Sequence, residues 1–481
     1  EEQLKGDNQG LGFDTSTLNI PISIDEVRKA VLHAKLQKAY SVDEIPAEVL
    51  KNDSCTILLH KLISLSFEQG IVPTQWKRGI IQPIPKGTSN DPRIPSNYRG
   101  ITLISVPCKI YCQVLNLRLS TWIEKYNLLV EEQNGFRKDR SCLDHLYTLY
   151  NIISWRKTQK KSTYVCYVDA RRAFDNISRT CLWYKLQKFG IKGRMLSAVQ
   201  SLYEGVECAV RINGSISDWF GVSNGLKQGC NLSPTLFSLY LNDLAEEIKA
   251  LSCGIKYGDK DLSILLFADD VALLSDSEEK MQQMLLCLNS WCKRWRLSLN
   301  MDKTKMVHYR HESCERSNFE FKIGNESISW TNGYKYLGLW LEEHLDLKES
   351  VKILAASANR ALGALCTKFH KIGGMSHNMF THLYESLVEP VLNYGSGIWG
   401  TSSYSKTNTI QNRACRFYLG VCSSASNSAT RGDMGWTSQI GKQYAEVLRL
   451  YHRGESVDPT RVIGMVHAHV KTSKSRSLWV N

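Results

Sequence analysis

Residues Ser263–Ser275 read SILLFADDVALLS. Two apolar runs of strand length flank two adjacent aspartates, Asp269 and Asp270, so the segment divides into two short buried strands with the carboxylates at the turn. At an effective dielectric of about 20, carboxylates roughly 4 Å apart repel by about 4 kcal/mol, and a chain needing only a polar turn would do better with Asn-Gly. The pair asks for something positive between its members. Carboxylates in exposed turns are mostly structural, but here the apolar flanks bury the strands that lead into the turn.

Working outward, STYVCYVDARRAFD is another β-rich run, ending at Asp169, and NISRTCLWYKLQKFG is a helix stopped by Gly190. KQGCNLSPTLFSLYLNDLAEEI predicts a loop and then a helix, with Ser233 as N-cap, Pro234 in the first turn, and Leu236, Phe237, Tyr240, Leu241 and Leu244 as the buried stripe. A helix from about Ser275 lines up Met281, Met284, Leu285, Leu288, Cys292 and Trp295. Strand, helix, hairpin, helix is a split βαβ arrangement. If its strands are neighbours, Asp169 joins Asp269 and Asp270, and three carboxylates can hold two Mg²⁺ ions about 3.5 to 4 Å apart, the spacing used for in-line phosphoryl transfer.

Before this centre come the helices ISIDEVRKAVLHAKL and ILLHKLISLSF around the loop QKAYSVDEIPAEV. Next come two strands, GIIQPIPKG and NYRGITLIS, joined by a mobile basic loop, and then the helix KIYCQVLNLRLSTWIEKY. After YKYLGLWLEE strand signals fade and successive helices predict a separate helical lobe from about residue 345. At 481 residues the chain suggests two or three lobes. Its 60 Lys and Arg against 47 Asp and Glu, spread along the whole length, favour a long anionic partner such as nucleic acid, though a merely basic enzyme would show the same excess. Fifteen scattered cysteines and an N-terminus without a signal core fit reduced thiols in an intracellular protein, and no apolar run approaches a membrane span of about 18 residues. The absence of an initiating Met suggests a piece of a larger polypeptide. HYRHESC spaces His308, His311 and Cys314 like part of a zinc site, but without a convincing fourth ligand a polar loop is the better reading.

Taken in order, NYRGITLIS, EEQNGFRKDRSCLDH, YVDARRAFD, KQGCNLSPTLF, FADD, NMDKTK and YKYLG make the chain resemble a reverse transcriptase of the non-LTR (LINE-like) retrotransposons, most clearly over about residues 79–341. The resemblance implies an α+β right-hand polymerase. Residues 1–23 would be an N-terminal extension, 24–344 the fingers and a βαββ-type palm, and 345–481 a helical thumb and C-terminal extension. It implies an RNA-directed DNA polymerase, a nucleotidyltransferase that extends a DNA primer on an RNA template with dNTPs and two Mg²⁺ ions, Mn²⁺ being a workable substitute. The setting it implies is an intracellular ribonucleoprotein, nuclear or cytoplasmic, within a larger polyprotein carrying an endonuclease; oligomeric state stays open.

Residue by residue, Asp169, Asp269 and Asp270 match the metal-binding triad. Lys86 and Arg99 match contacts to the incoming triphosphate, and Phe174 the ring under its sugar. Gln228 and Gly229 match the loop touching template and nucleotide, Lys303 the lysine near the leaving pyrophosphate, with Lys305 close by as an alternative. Arg137 and Arg140 match template contacts, and Tyr336, Leu337 and Gly338 the turn gripping the primer end. This chain departs from the pattern at Gln37, Ser41 and Glu44, where relatives often carry Gly, at Asn231, where Pro is frequent, and at Ala170, where a larger apolar residue is common. Two rival readings are a catalytically decayed or repurposed nucleic-acid-binding protein, and a maturase-like splicing factor. The intact aspartates speak against the first and Phe267 at the start of the turn against the second.

Overall fold

The computed structural model describes residues 12–87, 91–257 and 260–472. The chain divides into two compact units. Glu1–Phe136, Ala170–Glu247 and Leu288–Asn300 form the first, and Arg137–Asp169, Ile248–Cys287 and Met301–Asn481 the second. Among the described residues no helix is long and apolar enough to cross a membrane.

In the first unit the two strands expected near its start are Arg78–Pro85 and Tyr98–Ile104, paired antiparallel with Ile84 opposite Arg99. Residues 88–90 of the loop between them lie outside the described residues. Glu207–Ile212 runs parallel to Arg78–Pro85 on its other edge. The same unit holds Ile24–His33, opened by a Ser23–Glu26 capping box, the helices Asp53–Gln69, Val106–Lys125 and Arg179–Lys188, and most of Ser233–Ala250; Ile24–His33 packs on Asp53–Gln69 and Val106–Lys125. Buried Arg118 pairs with Glu26 at 2.6 Å and also bonds the carbonyls of Ile20 and Pro21, so the opening segment is pinned by a charge whose donors are well satisfied. Ser233 is not the N-cap expected of it. It lies inside the first turn, and its hydroxyl donates to the Lys227 carbonyl at 2.9 Å.

The second unit holds a five-stranded sheet in the order Ser329–Trp330, Lys305–Tyr309, Thr163–Val168, Asp270–Ser275, Ile264–Phe267. All neighbours are antiparallel except the first pair. All six residues of Thr163–Val168 are buried, which is why from Tyr164 onward its sequence is continuously apolar or aromatic instead of alternating, and the Thr163 hydroxyl accepts from Arg156 Nε at 2.8 Å. Val165, Tyr167, Ala272, Leu274, Val307 and Tyr309 share one core with Leu146, Tyr150 and Ile153 of the helix Cys142–Thr158.

The helical region contains the helices Lys348–Lys371, His377–Leu387, Ser405–Leu419, Gln439–Ser456 and Val462–Thr472. It is not all of one piece. Leu362, Phe380, Tyr384, Ile410, Ala414 and Trp436 build a core of their own, whereas Leu450, Val462, Ile463, Val466 and Val470 join the core of the sheet. His308, read above with His311 and Cys314, is a buried residue of the strand Lys305–Tyr309. Its ring stacks on Tyr164 at 4.6 Å, and burial lowers its pKa to about 4. Among the described residues the three metal-type ligands brought together are instead Glu342, Glu343 and His344, and Glu343 there is held by Arg310 at 2.7 Å.

Candidate active site

The hairpin of the opening stretch forms as read. Asp270 pairs with Phe267, leaving Ala268 and Asp269 as a two-residue loop. Ala268 has φ +58, a left-handed conformation that costs a non-glycine residue about 1 to 3 kcal/mol and that concentrates at functional sites. Val271 pairs with Val168, and continuing that register by one residue sets Asp169 across from Asp270. The Asp169 amide donates to Thr304 Oγ1 at 3.3 Å, tying the end of this strand to the start of the next.

Burial raises the Asp270 pKa to about 6, with further contributions from the charges of Asp269 and Asp169. None of these causes is a positive charge, so Asp270 sits beside two further carboxylates with no cation among the causes that act on it. A group of hard oxygen donors in that condition fits a divalent cation. Two aromatic hydroxyls feel the same charge. Tyr334, stacked on Tyr167 at 4.3 Å, has its pKa pushed up to about 12, first by burial and then by Asp169 and Asp270. Buried Tyr336 is raised too, with Asp270 a contributor after burial.

Tyr336 ends the first strand of a hairpin, Gly333–Tyr336 with Leu339–Glu342, whose loop is Leu337 and Gly338. The Tyr336 hydroxyl lies 3.4 Å from His145 Nδ1, and the His145 ring meets Phe267 edge-on at 6.1 Å, so the two hairpin loops share a chain of aromatic contacts. Tyr394, which sequence reading passed over, donates its hydroxyl to the Leu337 carbonyl at 2.5 Å. Lys303 is exposed and, among the described residues, has no hydrogen bond or ion pair, whereas Lys305 Nζ is bonded to Ser329 Oγ at 2.5 Å. Of the two lysines, Lys303 is the one left available. In the loop before the helix Cys142–Thr158, Arg137 is buried and Arg140 half-buried, so Arg140 is the better placed to meet a ligand.

The first unit gathers a second group. Phe174 is half-buried, stacked on buried Phe237 at 4.5 Å and met edge-on by exposed Phe136 at 6.3 Å. Its neighbour Asp175 accepts from Gln228 Nε2 at 3.0 Å; burial raises the Asp175 pKa, while Gln228, Arg172 and Lys86 oppose that rise. The Gln228 carbonyl accepts from the Thr102 amide at 2.7 Å. Gly229 follows with φ +115, and a Cβ there would stand 2.8 Å from the Thr102 carbonyl oxygen, so the close approach of loop to strand requires glycine. Lys86 bonds the Ser96 carbonyl at 2.9 Å, and Arg99 is exposed on the facing strand. No sequence signal marks Asp175 or Phe136 for this group, since aromatic or acidic identity alone does not separate packing from contact.

The profile described as reverse transcriptase (RNA-dependent DNA polymerase) matches residues 84–341, more than half of the chain. A probable RNA-directed DNA polymerase from transposon BS of Drosophila melanogaster is 25% identical over 82% of this chain and 44% of that protein. A Pol polyprotein from the type-1 retrotransposable element R2 of Popillia japonica is 28% identical over 60% of this chain and 39% of its own length. The chain thus spans less than half the length of these relatives. A solved telomerase from Candida tropicalis with a fragment of telomeric RNA aligns over 86% of this chain and 68% of that one at 13% identity, with a TM-score of 0.41. Members of the matched family copy nucleic-acid templates and depend on divalent metal. With its ordered motifs, its hairpin of aspartates and this match, the chain belongs to the reverse transcriptase family, among the non-LTR retrotransposon polymerases.

Proposed function

We propose that the chain is an RNA-directed DNA polymerase that adds deoxynucleotides to a primer 3′ end on an RNA template. The observation that carries this is the place of Asp270, beside Asp269 at the turn and one register step across from Asp169, where burial first and then the charges of Asp269 and Asp169 raise its pKa to about 6. These three side chains would hold two Mg²⁺ ions. Bound there, the ions supply a lowered pKa at the primer 3′-hydroxyl and neutralise charge on the triphosphate. Lys86 and Arg99 bind the triphosphate, an ammonium and a forked guanidinium suited to that anion. Lys303 approaches the leaving pyrophosphate, and Phe174 lies under the sugar, where its ring would exclude a ribose 2′-hydroxyl. Gln228 and Gly229 meet template and nucleotide, Arg137 and Arg140 the template backbone, and Tyr336, Leu337 and Gly338 the primer end. In the same reading, residues 24–344 serve as fingers and palm and 345–481 as thumb. The wider setting is a ribonucleoprotein within the cell and a polyprotein that also carries an endonuclease.

Purified chain given an RNA template, an annealed DNA primer, four deoxynucleotides and Mg²⁺ is expected to extend the primer. Asp269→Asn is expected to abolish extension while leaving primer-template affinity nearly unchanged, because the shape is kept and the charge removed. A native chain that binds but never extends, or an Asp269→Asn chain that extends normally, would overturn the reading.

A further inference from the structure

The short loop Arg137–Ser141 carries four charged residues in five, and its backbone at Asp139 takes the left-handed conformation at φ +57. Such a backbone persists only where its surroundings hold it. Two arginines from far along the chain do so. Arg453 Nη2 donates to the Asp139 carbonyl at 2.9 Å and Arg461 Nη2 to the same oxygen at 3.2 Å. The same two guanidiniums reach Asp144, whose side chain is only 1% exposed. Arg453 grips it with two bonds, at 2.6 and 2.8 Å, and Arg461 lies 3.5 Å away. Asp144 in turn accepts from the Ser141 amide, closing a capping box at the start of the helix Cys142–Thr158. A strut serving only that helix would need Asp144 and no more. The bonds to the Asp139 carbonyl fix the loop itself, with Lys138 exposed and Arg140 half-exposed on it.

We propose that Arg453 and Arg461 are positioning residues that clamp the Arg137–Ser141 loop so that Arg140 meets a template phosphate. The clamp rests on the reading of Arg140 as a template contact. A phosphate held by a fixed guanidinium is bound without sequence preference, and each such contact adds about one to the slope of log affinity against log salt.

Arg453→Lys keeps the charge and removes the fork, and Arg461→Lys does the same at the longer bonds. Template affinity is read over a salt series beside kcat at saturating primer-template and the melting temperature. Arg453→Lys is expected to weaken primer-template binding about tenfold, as befits lost charged hydrogen bonds. The salt slope should shrink by about one, with kcat nearly unchanged. Arg461→Lys should follow in the same direction with a smaller change. Combining Arg453→Lys with Arg140→Gln should weaken binding no further than Arg140→Gln alone, since both remove one contact. Affinity and kcat falling together with the melting temperature, at an unchanged salt slope, would reduce the clamp to a structural strut and overturn the proposal. If the native chain extends primers but Arg140→Gln leaves the slope intact, the reading of Arg140 is what fails. If Arg140→Gln shifts the slope and neither lysine variant does, the clamp alone fails.

Discussion

Asp270 carries its proton about two pH units longer than an ordinary aspartate, and the sign of the consequence follows from linkage. Between its ordinary value of 3.8 and its folded value of about 6, the folded chain keeps a proton that the unfolded chain has released. The contribution to stability is therefore fully present below the lower value and is lost as pH climbs through the upper one. Without divalent cation, the melting temperature of the native chain should fall across this window relative to Asp270→Asn, which has nothing to titrate, and Mg²⁺ should shrink the difference. Parallel profiles for the two chains would mean that folding does not raise the Asp270 pKa. Phe174→Ala separates the two roles a ring can have here. A sugar-excluding ring predicts a rise in ribonucleotide relative to deoxyribonucleotide incorporation. A ring that only packs on Phe237 predicts that both fall together, with about 3 to 5 kcal/mol lost in stability. At this scale the three aspartates were legible because charge between apolar runs is anomalous. The loop before the fingers was not: Gln37 and Glu44 both take the left-handed backbone at φ +53 that glycine adopts freely, and Ser41 is buried with its hydroxyl on the Leu103 carbonyl.

Elements form here by different means. The hairpin of aspartates needs only its apolar flanks and a two-residue loop. The hairpin Gly333–Glu342 needs outside help, because both of its loop residues have positive φ, +43 at Leu337 and +89 at Gly338, and a leucine is poorly suited to such a turn. Tyr394 supplies that help, with its hydroxyl on the Leu337 carbonyl and its ring 2.8 Å from where a Cβ of Gly338 would stand. Tyr394→Phe keeps the ring and removes the bond, at a cost of about 1 kcal/mol. It should raise the KM for primer-template with little change in kcat, and an unchanged KM would detach Tyr394 from the primer turn. Nothing in YKYLG points to this tyrosine 57 residues on, since the bond exists only after the helices fold. The strand Lys305–Tyr309 was missed because its histidine and lysine read as polar, although His308 is buried against Tyr164.

On the scale of the molecule, the last two helices matter most. Leu450, Val462, Ile463, Val466 and Val470 complete the core that also holds Val165, Tyr167 and Leu274 of the aspartate-bearing sheet. At about 1.5 to 3 kcal/mol for each buried aliphatic side chain, ending the chain after residue 438 removes roughly 10 kcal/mol. That is comparable with the roughly 5 to 15 kcal/mol that holds a whole domain. Such a truncated chain should lack a cooperative melting transition; a sharp transition with primer extension retained would show these helices to be dispensable. Local pattern was enough to read the family, the aspartate hairpin and most of the helices and strands around it, because periodicity, turn chemistry and misplaced charge act between residues near in the chain. Long-range packing alone set which helices complete the core of the aspartate-bearing sheet, which of two lysines has no partner among the described residues, and how Arg453 and Arg461 hold a loop more than 300 residues earlier. Those depend on packing between surfaces that no local pattern records, since an apolar stripe specifies that a helix is buried and leaves open against what.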